Sequence, residues 1–406
     1  MQSKHLYFRL GLINLAFVAL LGFTMRLKIL FEIPFLDYRN LLNAHSHFAF
    51  CGWVGFMLLA LSVHYLLSPE ARSRFRFLLL AVDATAIGML LTFPWLGYAG
   101  ASLVFSSAYV VLTFVFAGMF LARLSKASDG NARMLMICAL VALIISAAGP
   151  IVLGWMKAVH STNAILHRSA LYWYLHFQYN GFFTLTVFAH YIARRPAAAG
   201  STGARKGFTV ALSLATLPTL FLSLLWNNNP YYYGIAAAGV VLLIVALYFF
   251  VRLWLSPGSL ASYRSALARR LMRLSFGSFI LKTLMQIGTL VPSLGHAVFA
   301  DRPVIIGFLH LVFLGFVSFY LLAQLAEAGY FARHRGSPIP AYLFAAGVLA
   351  NEGLLLLQGL GILLGTNSRL FEWGLLGAAA LLLTGASAMA VTAVRARSYI
   401  REEAAV

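Results

Sequence analysis

Runs of roughly twenty apolar residues follow one another from end to end of this chain. A helix rises ~1.5 Å per residue, so each run is long enough to cross the ~30 Å hydrocarbon core of a bilayer. With 61% hydrophobic and only 10% charged residues over 406 positions, the recurrence predicts an all-α integral membrane protein. A soluble fold of this composition would have to leave too much apolar surface in water. The breaks place about twelve transmembrane helices near 7–30, 43–67, 75–97, 100–122, 134–156, 171–193, 207–226, 232–255, 272–292, 303–326, 340–364 and 371–394. The first run, from about Leu6 to Leu30, is too long for a signal-peptide core and has no small-residue cleavage motif after it, so it reads as the first span. No connection longer than 194–207 or 256–270 interrupts the pattern, which predicts a single polytopic membrane domain over 1–406.

A net charge of +19 raises the question of nucleic acid, but the basic residues sit in the short connections between spans. Counted over alternate connections, 22 Lys and Arg fall on the side of the termini and seven on the other (Arg26, Lys28, Arg39, Lys157, Arg168, Arg302, Arg369), with Lys282 inside a span. The positive-inside rule then puts both termini in the cytoplasm, as in a bacterial-type inner membrane, with no nucleic-acid partner. The two cysteines, Cys51 and Cys138, fall within spans and form no CxxC pair. Without a CxxCH motif there is no attached cytochrome c, so any soluble electron donor is a separate protein.

Three even-numbered spans share a pattern: His, two residues, an aromatic, one residue, Gly, an aromatic. It reads His47-Phe-Ala-Phe-Cys-Gly52-Trp53 in span 2, His176-Phe-Gln-Tyr-Asn-Gly181-Phe182 in span 6 and His310-Leu-Val-Phe-Leu-Gly315-Phe316 in span 10. Positions 47 and 176 are 129 residues apart, and 176 and 310 are 134 apart, so the repeat is four helices long. Twelve helices then divide into three pseudo-repeated four-helix arcs, about 1–130, 131–260 and 261–406. The glycine lies well round the helix from the histidine and is expected to admit a neighbouring helix closely. The histidines come early in helices that enter from the outer side, so all three imidazoles are expected at one depth. An imidazole in hydrocarbon must find a polar partner or a metal, and two neutral imidazoles on facing helices are a standard axial clamp for low-spin heme iron.

This arrangement resembles the catalytic subunit (subunit I) of the heme–copper oxidase superfamily. Trp173-Tyr174-Leu-His176-Phe-Gln-Tyr-Asn-Gly181-Phe182-Phe183 is similar to helix 6 of its cbb-type (C-family) members, and Phe308-Leu-His310-Leu-Val-Phe-Leu-Gly315-Phe316 to their helix 10. The resemblance implies one b-type heme held by His47 and His310, with His45 as a competing ligand or propionate partner. It also implies Arg369 beside the propionates and His176 as the remnant of a copper ligand. The chain departs from the family where the high-spin heme and copper would sit. Phe308 replaces the first histidine of the helix 10 pair, and span 7, ending Leu225-Trp226-Asn227-Asn228-Asn229, contains no histidine. A copper site needs about three nitrogen ligands, so copper is doubtful and His176 is left as a candidate second metal site.

Asp83, Lys282 and Glu352 fall inside spans, where they line a proton or substrate route or pair with polar neighbours such as Gln286. His64 and His190 read as interfacial anchors; His160, His167, His296 and His334 fall in or near connections. The function expected is that of a membrane heme protein: electron transfer from quinol or a separate cytochrome, or redox handling of nitric oxide or oxygen, with small partner subunits. Whether it is an oxidoreductase stays open. The rival reading is a non-enzymatic heme or metal transporter, sensor or nitric-oxide-tolerance protein of NnrS-like type. A cofactor-free secondary transporter, a third reading, predicts inverted repeats and broken midplane helices.

Overall fold

The computed structural model describes residues 2–124, 129–195, 202–292, 302–331, 337–363, 366 and 368–403, and among these it is helical with no strand. Twelve long helices are described: α1 (Gln2–Leu30), α2 (Tyr38–Leu66), α3 (Pro69–Leu96), α4 (Ala101–Leu121), α5 (Gly130–Ala158), α6 (164–194), α7 (Thr202–Asn227), α8 (Pro230–Leu255), α9 (Ala266–Gly288), α10 (Pro303–Glu327), α11 (Ile339–Leu363) and α12 (Leu370–Glu403). Ten of them are long and apolar enough to cross a membrane; α6 and α9 are long enough but more polar. The difference from the expected twelve has a simple source. α6 carries His167, Arg168, His176, Gln178, Asn180, His190 and Arg194, and α9 carries Arg269, Arg270, Arg273, Lys282 and Gln286. Large apolar side chains face outward, Phe77 at 80% and Leu356 at 69% exposure, as a lipid-facing surface requires.

The helices begin where a side chain can take up their free N–H groups. Asp37 accepts from Asn40 N ahead of α2, Asn163 from Leu166 N ahead of α6, and Ser265 from Ala268 N ahead of α9; Asn229 accepts from Tyr231 N, with Pro230 in the first turn of α8. The neighbour pattern recurs at four-helix intervals. α2 lies between α1 and α3, α6 between α5 and α7, and α10 between α9 and α11, while α4, α8 and α12 pack on α3, α7 and α11. α12 also lies along α1, which closes the ring. Runs of fully buried side chains on α2, α6 and α10 make these three the centre of the bundle.

Each central helix widens into a π-helical segment directly after its histidine: Ala49–Gly55, Phe177–Phe183 and Leu311–Ser318, the only π-helices among the described residues. A π turn breaks the regular i to i−4 ladder, and in a bilayer a carbonyl released that way needs another donor. Each segment has one. Asn14 Nδ2 donates to Gly52 O (2.7 Å), Thr184 Oγ1 to Tyr179 O (2.6 Å) and Ser275 Oγ to Phe316 O (2.7 Å). Trp53 Nε1 donates to Ser318 Oγ at 2.8 Å, tying α2 to α10. The repeat glycines divide. A Cβ on Gly181 would lie 2.5 Å from Ala142 Cβ of α5, and one on Gly315 2.8 Å from Ser278 Oγ of α9, so both admit a neighbouring helix. Gly52 does not: its space is taken by the Phe48 ring of its own helix.

Candidate functional site

His45 and His47 are two residues apart on α2, hence ~200° apart around the helix, and they look in nearly opposite directions. His47 turns toward α3. Its ring stacks on Phe93 (4.5 Å between centroids, 7° between planes), and its Nε2 shares a hydrogen bond with the Tyr98 hydroxyl (2.7 Å). Tyr98 is held there by the turn after α3, where Gly97 takes φ +55° and lies against Asn40; a Cβ at Gly97 would meet Asn40 Oδ1 at 2.4 Å.

His45 turns the other way, onto α1. Its ring rests against Gly22, where a Cβ would approach Cε1 to 3.2 Å, and its Nδ1 donates to the Val18 carbonyl at 3.1 Å. A carbonyl accepts only, so this bond assigns the proton to Nδ1 and leaves the Nε2 lone pair free. His310 on α10 lies within electrostatic reach of His45, and Arg26 acts on both rings. Gly22 and Arg26 are one turn apart on the same face of α1, which puts the guanidinium next to the imidazole that Gly22 supports. Arg26 is paired with Glu372 of α12 (3.4 Å), and Glu372 also accepts from Gln358 of α11 (2.9 Å).

His310 Nδ1 accepts from Asn351 Nδ2 at 3.2 Å, and the same amide nitrogen donates to Glu352 (3.1 Å). Behind the pair, Phe50 and Phe313 lie 4.4 Å apart with Phe183 and Tyr174 around them, an aromatic floor drawn from all three central helices.

The expected residues are therefore distributed over three places. His45 and His310 lie within electrostatic reach of each other. His47 faces α3. His176 is fully buried on α6 with both ring nitrogens engaged: Nε2 donates to Thr216 O (2.7 Å) and Nδ1 accepts from Asn180 Nδ2 (3.2 Å). Arg369 is exposed in the turn before α12. Among the described residues no three His, Cys, Asp or Glu side chains converge as a metal group, and His160 and His167 are both exposed. His296 and His334 lie outside the described residues.

The intramembrane charges each have a partner. Asp83 of α3 accepts from Asn14 (2.7 Å), the residue that also caps Gly52 O, and Lys282 donates to Asn180 (2.6 Å) and Gln286 (3.2 Å). At the opposite end of the central helices, His190 bonds Ser62 (2.8 Å), and Arg194 lies over the Tyr65 and Tyr263 rings while donating to Tyr65 and Gln324. Tyr263 is in the connection before α9, and burial raises its phenol pKa, so it stays protonated as it accepts from Gln324 (3.0 Å). His190 is thus a core residue, not an interfacial anchor. Sequence reasoning missed Arg26 and Asn351 as neighbours of the histidines. An arginine one turn beyond a glycine within an apolar run was the available signal for the first; nothing local marked the second.

Compared with known proteins, the chain matches no family model and no curated protein.

Proposed function

We propose that this is a single-domain membrane b-type heme protein in which His45 and His310 hold the iron from α2 and α10. The observation that carries the reading is the His45 tautomer set by Val18 O, which leaves Nε2 as a lone-pair donor, with His310 of α10 within electrostatic reach of the same ring. At His310, turning the Asn351 amide by 180° exchanges its donor and acceptor ends. Nδ1–H then donates to the amide oxygen, Glu352 in its protonated form donates to the same oxygen in place of accepting from the amide nitrogen, and Nε2 of His310 becomes available in the same way. A heme bound here would supply one-electron exchange and, on displacement of one of the two imidazoles, binding of a diatomic gas. The protein's own part is to orient the two rings, to exclude water with the Phe50, Phe183 and Phe313 side chains, and to set local charge through Arg26 and Glu372.

In this reading α6 and α9 complete a twelve-span, subunit I-like bundle of three arcs, with both termini cytoplasmic in a bacterial-type inner membrane. Electrons come from quinol or a separate cytochrome, with small partner subunits alongside. The full engagement of His176 in protein hydrogen bonds favours a protein without a conventional copper centre. It also supports the second reading, a non-enzymatic heme-handling or nitric-oxide-tolerance protein. Purified protein examined by oxidised and dithionite-reduced spectra with a pyridine hemochrome count decides the first point: one six-coordinate heme b per chain is expected, and protein that stays heme-free after reconstitution sinks the proposal. A heme that is retained and reduced by quinol supports electron transfer, whereas one that exchanges readily with apomyoglobin supports transport.

A further inference from the structure

A second polar site lies between α6, α7 and α9, apart from the histidine pair. Lys282 is 3% exposed, and its Nζ donates to Asn180 Oδ1 (2.6 Å) and Gln286 Oε1 (3.2 Å). An ammonium has three donors, and these two amide oxygens take up two. Neither carries a charge. The other carboxylates buried in the spans are committed elsewhere, Asp83 to Asn14 and Glu352 to Asn351, and the only ion pairs among the described residues are Arg26–Glu372 and Arg205–Asp129. A buried ammonium without a counter-charge is expensive inside a bilayer.

Beside Lys282 is a narrow cavity with space for about one water-sized group, lined among others by Thr216, Thr219, Thr283 and Gln286. The main chain of α7 breaks there: its α-helical part ends at Ala215 and a 3-10 helix, Pro218–Asn227, begins two residues after Thr216. The carbonyl of Thr216, freed by the break, is taken by His176. Thr216 and Thr219, on either side of the start of the second segment, line the cavity. Those threonine hydroxyls and that of Thr283 donate to main-chain carbonyls one turn back, and a hydroxyl can turn its proton to a better acceptor. A cation, rotatable hydroxyls and an amide around a one-atom space match a singly charged, single-atom anion.

We infer that the cavity beside Lys282 binds a single-atom halide anion on the Lys282 Nζ at the break in α7. The test uses the full chain in detergent with chloride as the probe, followed by the broadening of the chloride NMR resonance and by bromide competition. The expected result is a saturable excess broadening in wild type that bromide displaces. It should weaken by about ten- to a hundred-fold in Lys282→Met, the loss of one charge-assisted contact. Lys282→Gln, which keeps a hydrogen-bonding side chain, is the second variant in case the first does not fold, and the same weakening is expected. The broadening should persist in His310→Ala. Absence of saturable broadening in folded wild type, its survival at full strength in a folded Lys282 variant, or its loss in His310→Ala, which would put the anion at the histidine pair instead, overturns the inference.

Discussion

His45 Nδ1 donates to the main-chain carbonyl of Val18 across the α1–α2 contact, at 3.1 Å. This one bond separates two neighbouring histidines that differ little in sequence context. It pins the proton of His45 on the nitrogen facing α1 and leaves the other as a base, whereas the Nε2 of His47 is taken by Tyr98.

The first prediction follows. His45→Ala and His310→Ala lose the six-coordinate heme spectrum, while His47→Ala keeps it and loses only the stacking on Phe93 and the Tyr98 bond. Hemochrome counts on the three purified variants check this, and loss of heme in His47→Ala with retention in His45→Ala would reverse the assignment.

Arg26 acts electrostatically on both His45 and His310, and Glu372 is its ion-pair partner at 3.4 Å. Removing the cation favours the more positive, ferric state, so Arg26→Gln lowers the midpoint potential; Glu372→Gln raises it. Redox titration of heme-loaded protein reads both signs, and potentials that do not move, with heme content unchanged, would show that this pair does not tune the site.

Asn14 holds two buried acceptors, Gly52 O in the first π segment and Asp83 Oδ1. Asn14→Ala should lower stability by about 1–3 kcal/mol, since each acceptor is left without its donor in a buried setting. Adding Asp83→Leu to Asn14→Leu should cost less than the two single changes together, because the carboxylate then no longer needs a partner. Thermal unfolding of the four proteins in one detergent measures the coupling, and strict additivity would refute it.

Gly181 is where α5 comes closest to α6, with Ala142 Cβ 2.5 Å from the position a methyl would occupy, whereas Gly277 of α9 has nothing within 4 Å. Gly181→Ala is therefore expected to destabilise by about 1–3 kcal/mol through overpacking. Gly277→Ala is expected to be neutral or stabilising through helix propensity alone. Equal effects at the two positions in the same unfolding assay would contradict the close approach.

Trp53 and Ser318 join α2 to α10 through a fully buried bond. Trp53→Phe leaves Ser318 Oγ without its donor, and a loss of about 1–3 kcal/mol is expected. In a double-mutant cycle with Ser318→Ala the loss should be mostly shared; a coupling near zero would mean the bond contributes nothing to holding the two helices.

What could be read from the chain alone divides along the range of the interactions involved. Apolar runs are local, so the runs and their breaks placed all twelve long helices, of which ten are long and apolar enough to cross a membrane while α6 and α9 are more polar. The four-helix repeat was legible because it is carried by sequence spacing. The facing of its histidines was not, since a seven-residue pattern aligns positions along a chain and says nothing of direction across a helix. His47 matches the repeat, yet it is His45, ~200° round the helix, that lies within electrostatic reach of His310 on α10. Arg369 was expected beside the histidines from its place before α12, but it lies exposed, and Arg26 approaches from α1 because Gly22 lets α2 come close. The pairing of Lys282 with Gln286 is a one-turn contact within α9 and could be anticipated; its stronger bond to Asn180 crosses between helices and could not.

The π-helical segments have a further consequence for how this chain can vary. An extra residue in a helical turn swings everything before it by about 100° relative to everything after it. Each central helix thus has the half before its π segment clocked against the half after it, and the clocking helps set the direction of the imidazoles. Deleting Phe50 would return α2 to a plain helix and rotate the His45 half away from α1, breaking the bond to Val18 O without altering His45 itself. Single-residue insertions and deletions at 49–55, 177–183 and 311–318, more than substitutions there, are the changes by which a fold of this kind could be re-aimed toward a different occupant.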